Sequence, residues 1–312
     1  MQAMVGDAPE QEQTMRSQPR VTVWSRSRQW LVLAVLGCVV LRPEFATAQE
    51  APAPTLHWAY ASYFGTGWYK IGEQQSAFIV NFAPLLSSGE TRWFGGRDGK
   101  AVYSIRVPLT VGLTRLDFED VPGILDPENF AMLSAGLRAD VDVPVTERFS
   151  WRPSVQLSYG QVIGEGEHAW TYRGDVRARY TFGSGDLRWA LIGAAGLVGY
   201  DANHGADDSF TYAALGTEFS YPLPWFASKD SRSLLYWHLL YTDFLNRMEV
   251  QGRSDQLEEI TNFWQAGLAF GKEDRPIELW FLRFDRLGLA YDISPSGELR
   301  GVKFVFRSIY EP

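Results

Sequence analysis

Acid–base or metal chemistry in this chain would draw on four histidines, His57, His168, His204 and His238. His204 stands close to Asp207, Asp208 and Ser209. Those are hydrolase residue types: a nucleophile, a base that takes its proton, and a group that orients the base. The same run, from Asp201 to Asp208, spaces oxygen donors around a glycine as calcium loops do, but lacks the downstream glutamate of an EF-hand. A solvated polar loop accounts for the run without any chemistry. No catalytic residue, metal ligand or cofactor is therefore expected. The single cysteine, Cys38, lies in a segment expected to be removed, which excludes disulfides and cysteine metal sites from the rest.

More informative is a set of charges that alternate with apolar residues: Arg106, Arg138, Asp140, Asp142, Arg152, Arg173, Asp175, Arg177, Arg179, Lys303 and Arg307. From Trp170 to Phe182, one face carries Trp170, Tyr172, Val176, Ala178, Tyr180 and Phe182, and the other carries Thr171, Arg173, Asp175, Arg177, Arg179 and Thr181. Side chains of a β-strand alternate between faces, so this is a strand with one wet and one apolar side. Leu137 to Val143, Trp151 to Tyr159 and Val302 to Tyr310 repeat the pattern. An arginine facing lipid at the midplane costs about 2–4 kcal/mol, so in a membrane barrel these charges turn inward. They then form an ion-paired network that fills a narrow barrel, or they line a small pore that favours anions.

The elements that hold these rows are expected to be about twelve antiparallel strands, near 57–69, 74–84, 101–117, 129–143, 147–162, 168–182, 186–200, 209–222, 233–248, 260–271, 276–292 and 298–310. The fold class is all-β, a transmembrane antiparallel up-and-down β-barrel. An even strand count puts both termini on the periplasmic side, with short turns there and longer loops outside. The stretch 87–100 breaks that rule, which calls for an extended hairpin or a different placement of the first strands. Trp151, Trp189, Trp237 and Trp280 fall near the expected periplasmic ends, and Trp170, Tyr200, Tyr212 and Trp264 near the outer ends, as interfacial girdles would. A soluble barrel or sandwich with these aromatics in its core is the rival reading.

Upstream, Arg16, Arg20, Arg26 and Arg28 precede an apolar run from Trp30 to Leu41, followed by Ala46-Thr47-Ala48. That order reads as a secretory signal over residues 1–48, with cleavage after Ala48. A lipoprotein site at Val35-Leu36-Gly37-Cys38 is the competing reading. Residues 49–56 then form a short linker and 57–312 the barrel domain. With 14% aromatics, 21% charged residues and a net charge of −8, the chain has neither the long apolar runs of a helical membrane protein nor the basic stripe of a nucleic-acid binder.

Three segments carry a family resemblance: Ala61-Ser-Tyr-Phe-Gly-Thr-Gly-Trp-Tyr69, Arg106-Val-Pro-Leu-Thr-Val-Gly-Leu113 and Pro144-Val-Thr-Glu-Arg-Phe-Ser-Trp151. In these the chain resembles the solitary outer-membrane autotransporter-like β-barrels, translocator-type barrels without a passenger. The resemblance implies location in the bacterial outer membrane, contact with its lipid and lipopolysaccharide, insertion by the barrel-assembly machinery, and no enzymatic activity. The short stretch between the expected cleavage site and the first strand leaves no passenger and no room for a long pore-plugging helix. The end, Phe304-Val-Phe-Arg-Ser-Ile-Tyr-Glu-Pro312, alternates like an assembly signal but lacks a terminal phenylalanine. A diffusion channel for small, anionic solutes and an outer-membrane lipid hydrolase are the alternative functions.

Overall fold

The computed structural model describes residues 58–71, 75–92, 100–114, 130–164, 166–183, 187–203, 207–228, 231–251, 257–273, 276–279 and 282–311. The expected leader and linker, His57, His204 and Trp280 lie outside the described residues.

A short 3-10 helix, Trp58–Ser62, precedes sixteen strand segments: β1 Gly67–Ile71, β2 Gln75–Phe82, β3 Leu85–Thr91, β4 Ala101–Arg106, β5 Leu109–Thr114, β6 Phe130–Pro144, β7 Phe149–Val162, β8 His168–Phe182, β9 Arg188–Ala202, β10 Asp208–Ser228, β11 Ser231–Gln251, β12 Leu257–Lys272, β13 Ile277–Leu279, β14 Leu282–Phe284, β15 Arg286–Ile293 and β16 Leu299–Val305. Pro84 and Pro108 each lack the N–H a ladder needs, and each divides one stave in two. Both β4 and β5 pair with β6, and Gly136 N donates to Pro108 O across the break. Val107 N donates likewise to Pro84 O, so β2 and β3 are one stave and β4 and β5 another. Each remaining stave pairs with its neighbours in chain order, and β1 pairs with β16. The result is a closed twelve-stave antiparallel barrel, with β13 and β14 as a separate small hairpin.

The alternation sorts the staves into two faces. Leu137, Val155, Leu157, Trp170, Tyr172 and Val176 are exposed on the outside, whereas Arg138, Asp140, Arg152, Ser154, Asp175 and Arg177 are buried. This is the reverse of a soluble barrel, and only a surrounding lipid phase makes it favourable. One aromatic row runs across neighbouring staves: Phe182 stacks on Trp189 at 4.4 Å, Trp189 on Phe219 at 5.8 Å and Phe219 on Trp237 at 4.0 Å. Near the opposite end Trp170 meets Tyr159 at 5.2 Å and Trp264 meets Tyr241 at 4.8 Å. Such pairs contribute about 0.5–1.5 kcal/mol each beyond burial.

The staves are unequal. About 9–11 residues cross a bilayer, but β10 and β11 have 21 each and project beyond it. Around the closing pair, β1 has 5 residues, β16 has 7 and β15 has 8. The first expected strand, 57–69, is thus mostly not a strand: its apolar residues turn inward as the 3-10 helix, and pairing starts only at Gly67. The last expected strand, 298–310, stops at Val305, and 276–292 divides into the small hairpin and β15. Of 87–100, the residues through Thr91 belong to β3, which extends the hairpin with β4.

Candidate functional site

The barrel interior has three layers, each set by which inward residues the staves supply. Towards the end bearing the longer loops, the layer is apolar. Tyr60 and Phe64 pack there among Tyr69, Ile71, Val198, Tyr200, Phe210, Phe244, Met248, Ile260 and Leu299, all buried. Tyr63 meets Phe210 and Tyr212 edge-on, and Tyr60 OH donates to Asp208 Oδ2 at 2.6 Å. The segment 58–66 therefore fills the lumen. Tyr200 and Tyr212, expected in an outer girdle, instead face inward at 6% and 3% exposure and form part of this packing, whereas Trp170 and Trp264 do point outward.

The middle layer holds the charges. Asp140 stands between Arg106 at 3.6 Å, Arg152 at 3.9 Å and Arg138 at 4.0 Å. Asp175 accepts from Arg173 Nε at 2.7 Å and from Arg177 Nε at 3.3 Å, and its side chain has no exposure. These pairs follow from strand geometry: residues two apart on β8 share the inner face, and Asp140 lies opposite Ser104 and Ser154 on its neighbours. Across the lumen, Lys303 Nζ lies 3.3 Å from Asp292 Oδ2 and donates to Gln265 Oε1 at 2.5 Å, while Gln265 Nε2 and His238 Nε2 are 2.7 Å apart.

The third layer is the C-terminal tail, Phe306 to Glu311, which turns into the lumen. The Tyr310 ring lies under the Arg179 and Arg152 guanidiniums at 4.4 and 4.9 Å, and its hydroxyl donates to Asp142 Oδ1 at 3.0 Å. Arg152 Nη2 donates to Glu311 Oε1 at 2.9 Å, and Arg177 Nη1 donates to Ile309 O. Glu218 accepts from Arg286 at 2.7 Å and from Ser308 at 3.1 Å. Arg307 sits in this tail rather than on a strand, and donates to Ala83 O at 3.3 Å.

The structure thus gathers Arg106, Arg138, Asp140 and Arg152 in one cluster, Arg173, Asp175 and Arg177 in another, Lys303 opposite them, and Arg179 and Arg307 at the tail. His238, one of the four histidines, joins them, as do Glu218, Gln265, Arg286 and Asp292, which no sequence pattern singled out. Glu218 and His238, single polar residues on apolar strands, were the available signal. His238 faces the barrel interior, paired across the ladders with Glu218 and Gly267. Between plug and tail remains a cavity of about 270 Å³. His168 stands half-buried at the start of β8, its Nδ1 3.3 Å from Gly166 O. Among the described residues no group of His, Asp, Glu or Cys is arranged to hold a metal ion.

No family model and no curated protein matches the chain. Among solved structures it is similar to the β domain of the Bordetella autotransporter BrkA, at 10% identity over 76% of this chain and 91% of that one, TM-score 0.47. It is similar to the translocator domain of the autotransporter NalP from Neisseria meningitidis, at 11% identity over 76% and 82%, TM-score 0.44. It is also similar to LpxR from Salmonella typhimurium, at 9% identity over 74% and 88%, TM-score 0.36. The likeness is one of fold alone.

Proposed function

We propose that the chain is an integral outer-membrane barrel of translocator type, without catalysis, whose interior is closed by segments 58–66 and 306–311. One observation carries this reading: segment 58–66 fills the lumen near one end and the tail 306–311 fills it near the other, with the ion pairs between them. The exposed apolar staves face lipid, the loop end faces lipopolysaccharide, and the barrel-assembly machinery inserts the chain. The Arg-rich rows then serve as a packed network and not as a pore lining. Planar-bilayer recording tests this: the purified barrel gives no steady unit conductance, whereas a reproducible anion-selective step would establish the channel instead. Heat-dependent migration on a gel checks the barrel itself, and unchanged migration would refute it.

A further inference from the structure

The chamber between plug and tail is not walled on every side. Its lining runs past Gly65 and Thr66 to Phe82 and Phe304, which are 40% and 46% exposed on the outward rows of β2 and β16. The ladder explains the break. β1 begins at Gly67, opposite Ile79 and Lys303. Towards the tail, β2 continues to Phe82 and β16 to Val305, and no described strand lies between them. Thr66 carries the closure one residue further: its carbonyl accepts from Phe304 N at 2.8 Å, and its hydroxyl donates to Asn81 O at 2.8 Å and accepts from Asn81 N at 2.9 Å. Beyond that level the gap is crossed by the Arg307 side chain on its way to Ala83 O.

The lining of the chamber carries more cations than carboxylates. Arg138, Arg173 and Arg177 line it on one side and Lys303 on the other, with Asp292 and Glu311 also in the lining. Arg173 and Arg177 share Asp175, Arg138 shares Asp140 with two other arginines, and Lys303 has Asp292. Arg138, at 6% exposure, has no hydrogen-bond acceptor for its Nε. Buried cations in excess of carboxylates favour an anion that completes them. Phe64, Phe263, Ile192 and Leu240 supply apolar surface in the same lining. At about 270 Å³ the chamber falls just below the ~300–1,000 Å³ of pockets that enclose a whole drug-sized ligand. It has room for a head group and the first methylenes, and a longer tail must leave through the gap.

We propose that the chamber binds a fatty-acid-type amphiphile, its carboxylate on the arginine wall and its acyl chain passing between Phe82 and Phe304 into the membrane. The proposal rests on the membrane-barrel reading, because only there does the gap open on hydrocarbon. The test uses the purified barrel in phosphatidylcholine vesicles, a palmitate carrying a diazirine, and mass-spectrometric mapping of the labelled residues. Label is expected on the chamber and seam residues, suppressed by oleate, with oleyl alcohol at least about tenfold weaker as competitor. The Arg138→Gln and Lys303→Gln variants should each lose chamber label at least about tenfold, provided they keep the heat shift. Label confined to outward rows such as Val155 and Leu215, or unchanged in both folded variants, overturns the proposal. So does suppression by inorganic phosphate at the effective oleate concentration, which would make the site one for soluble anions. Failure of the membrane reading is seen separately, as absence of the heat shift in the wild type.

Discussion

The Asp175→Asn substitution tests the idea that the interior charges form a network. Asp175 is fully shielded and bonds two guanidiniums, at 2.7 and 3.3 Å. A hydrogen bond to a charged group contributes about 1.5–3 kcal/mol, and removing one partner of a buried pair costs about 3–5 kcal/mol because the survivor stays uncompensated. Asparagine preserves the volume and one acceptor oxygen but cancels the charge that Arg173 and Arg177 share, and Arg138 lies in the same layer. We expect a loss of about 3 kcal/mol, read as a lowered guanidinium midpoint at unchanged slope, in vesicles, by tryptophan fluorescence. The control is Glu273→Gln, which breaks an exposed pair with Arg188 and should cost no more than about 1 kcal/mol. If Asp175→Asn costs no more than that control, the arginines are satisfied without the carboxylate and the network account fails.

Three further outcomes follow from the geometry. Val155 is 63% exposed on the outward face, so Val155→Arg should cost about 2–4 kcal/mol when the barrel refolds in vesicles; no cost there would mean the face does not meet lipid. Tyr310→Ala removes the ring under Arg152 and Arg179 and the bond to Asp142, and should produce channel openings in planar bilayers that the wild type lacks; silence would show that the plug alone seals the lumen. A Cβ on Gly67 would run into Val302 O and come within 2.6 Å of Lys303 Cα, so Gly67→Val should prevent closure and abolish the heat-dependent gel shift, which a normally shifting variant would contradict.

The staves with clean period-two alternation were readable because lipid on one side and charge on the other impose it. Trp170 to Phe182 is the plainest, and β8 follows it residue for residue. Reading weakened at the two chain ends, for one shared reason. Ala59, Tyr60, Ala61 and Phe64 are apolar because they are buried in the lumen, and Ile309 and Tyr310 because they cap it. Apolar residues inside a barrel and apolar residues facing lipid look alike in sequence. The same ambiguity misplaced Tyr200 and Tyr212. The charged rows were legible as rows, but their pairings were not, since Arg152 meets Glu311 of the tail and Arg286 meets Glu218 from a stave that is not its neighbour. The seam was not legible at all, because it arises from where β1 starts.

The five-residue pairing of β1 with β16 also orders the folding reaction. Every other stave meets a neighbour close along the chain, so most of the wall can zip together hairpin by hairpin at little loop-closure cost. Joining Gly67 to Lys303 instead brings together residues far apart along the polypeptide, and it is rewarded by a ladder of only five residue pairs, as short as that between β1 and β2. Closure is therefore the late, slow step. Until it occurs the barrel is an open curved sheet with two unpaired edges, the state most exposed to edge-to-edge association.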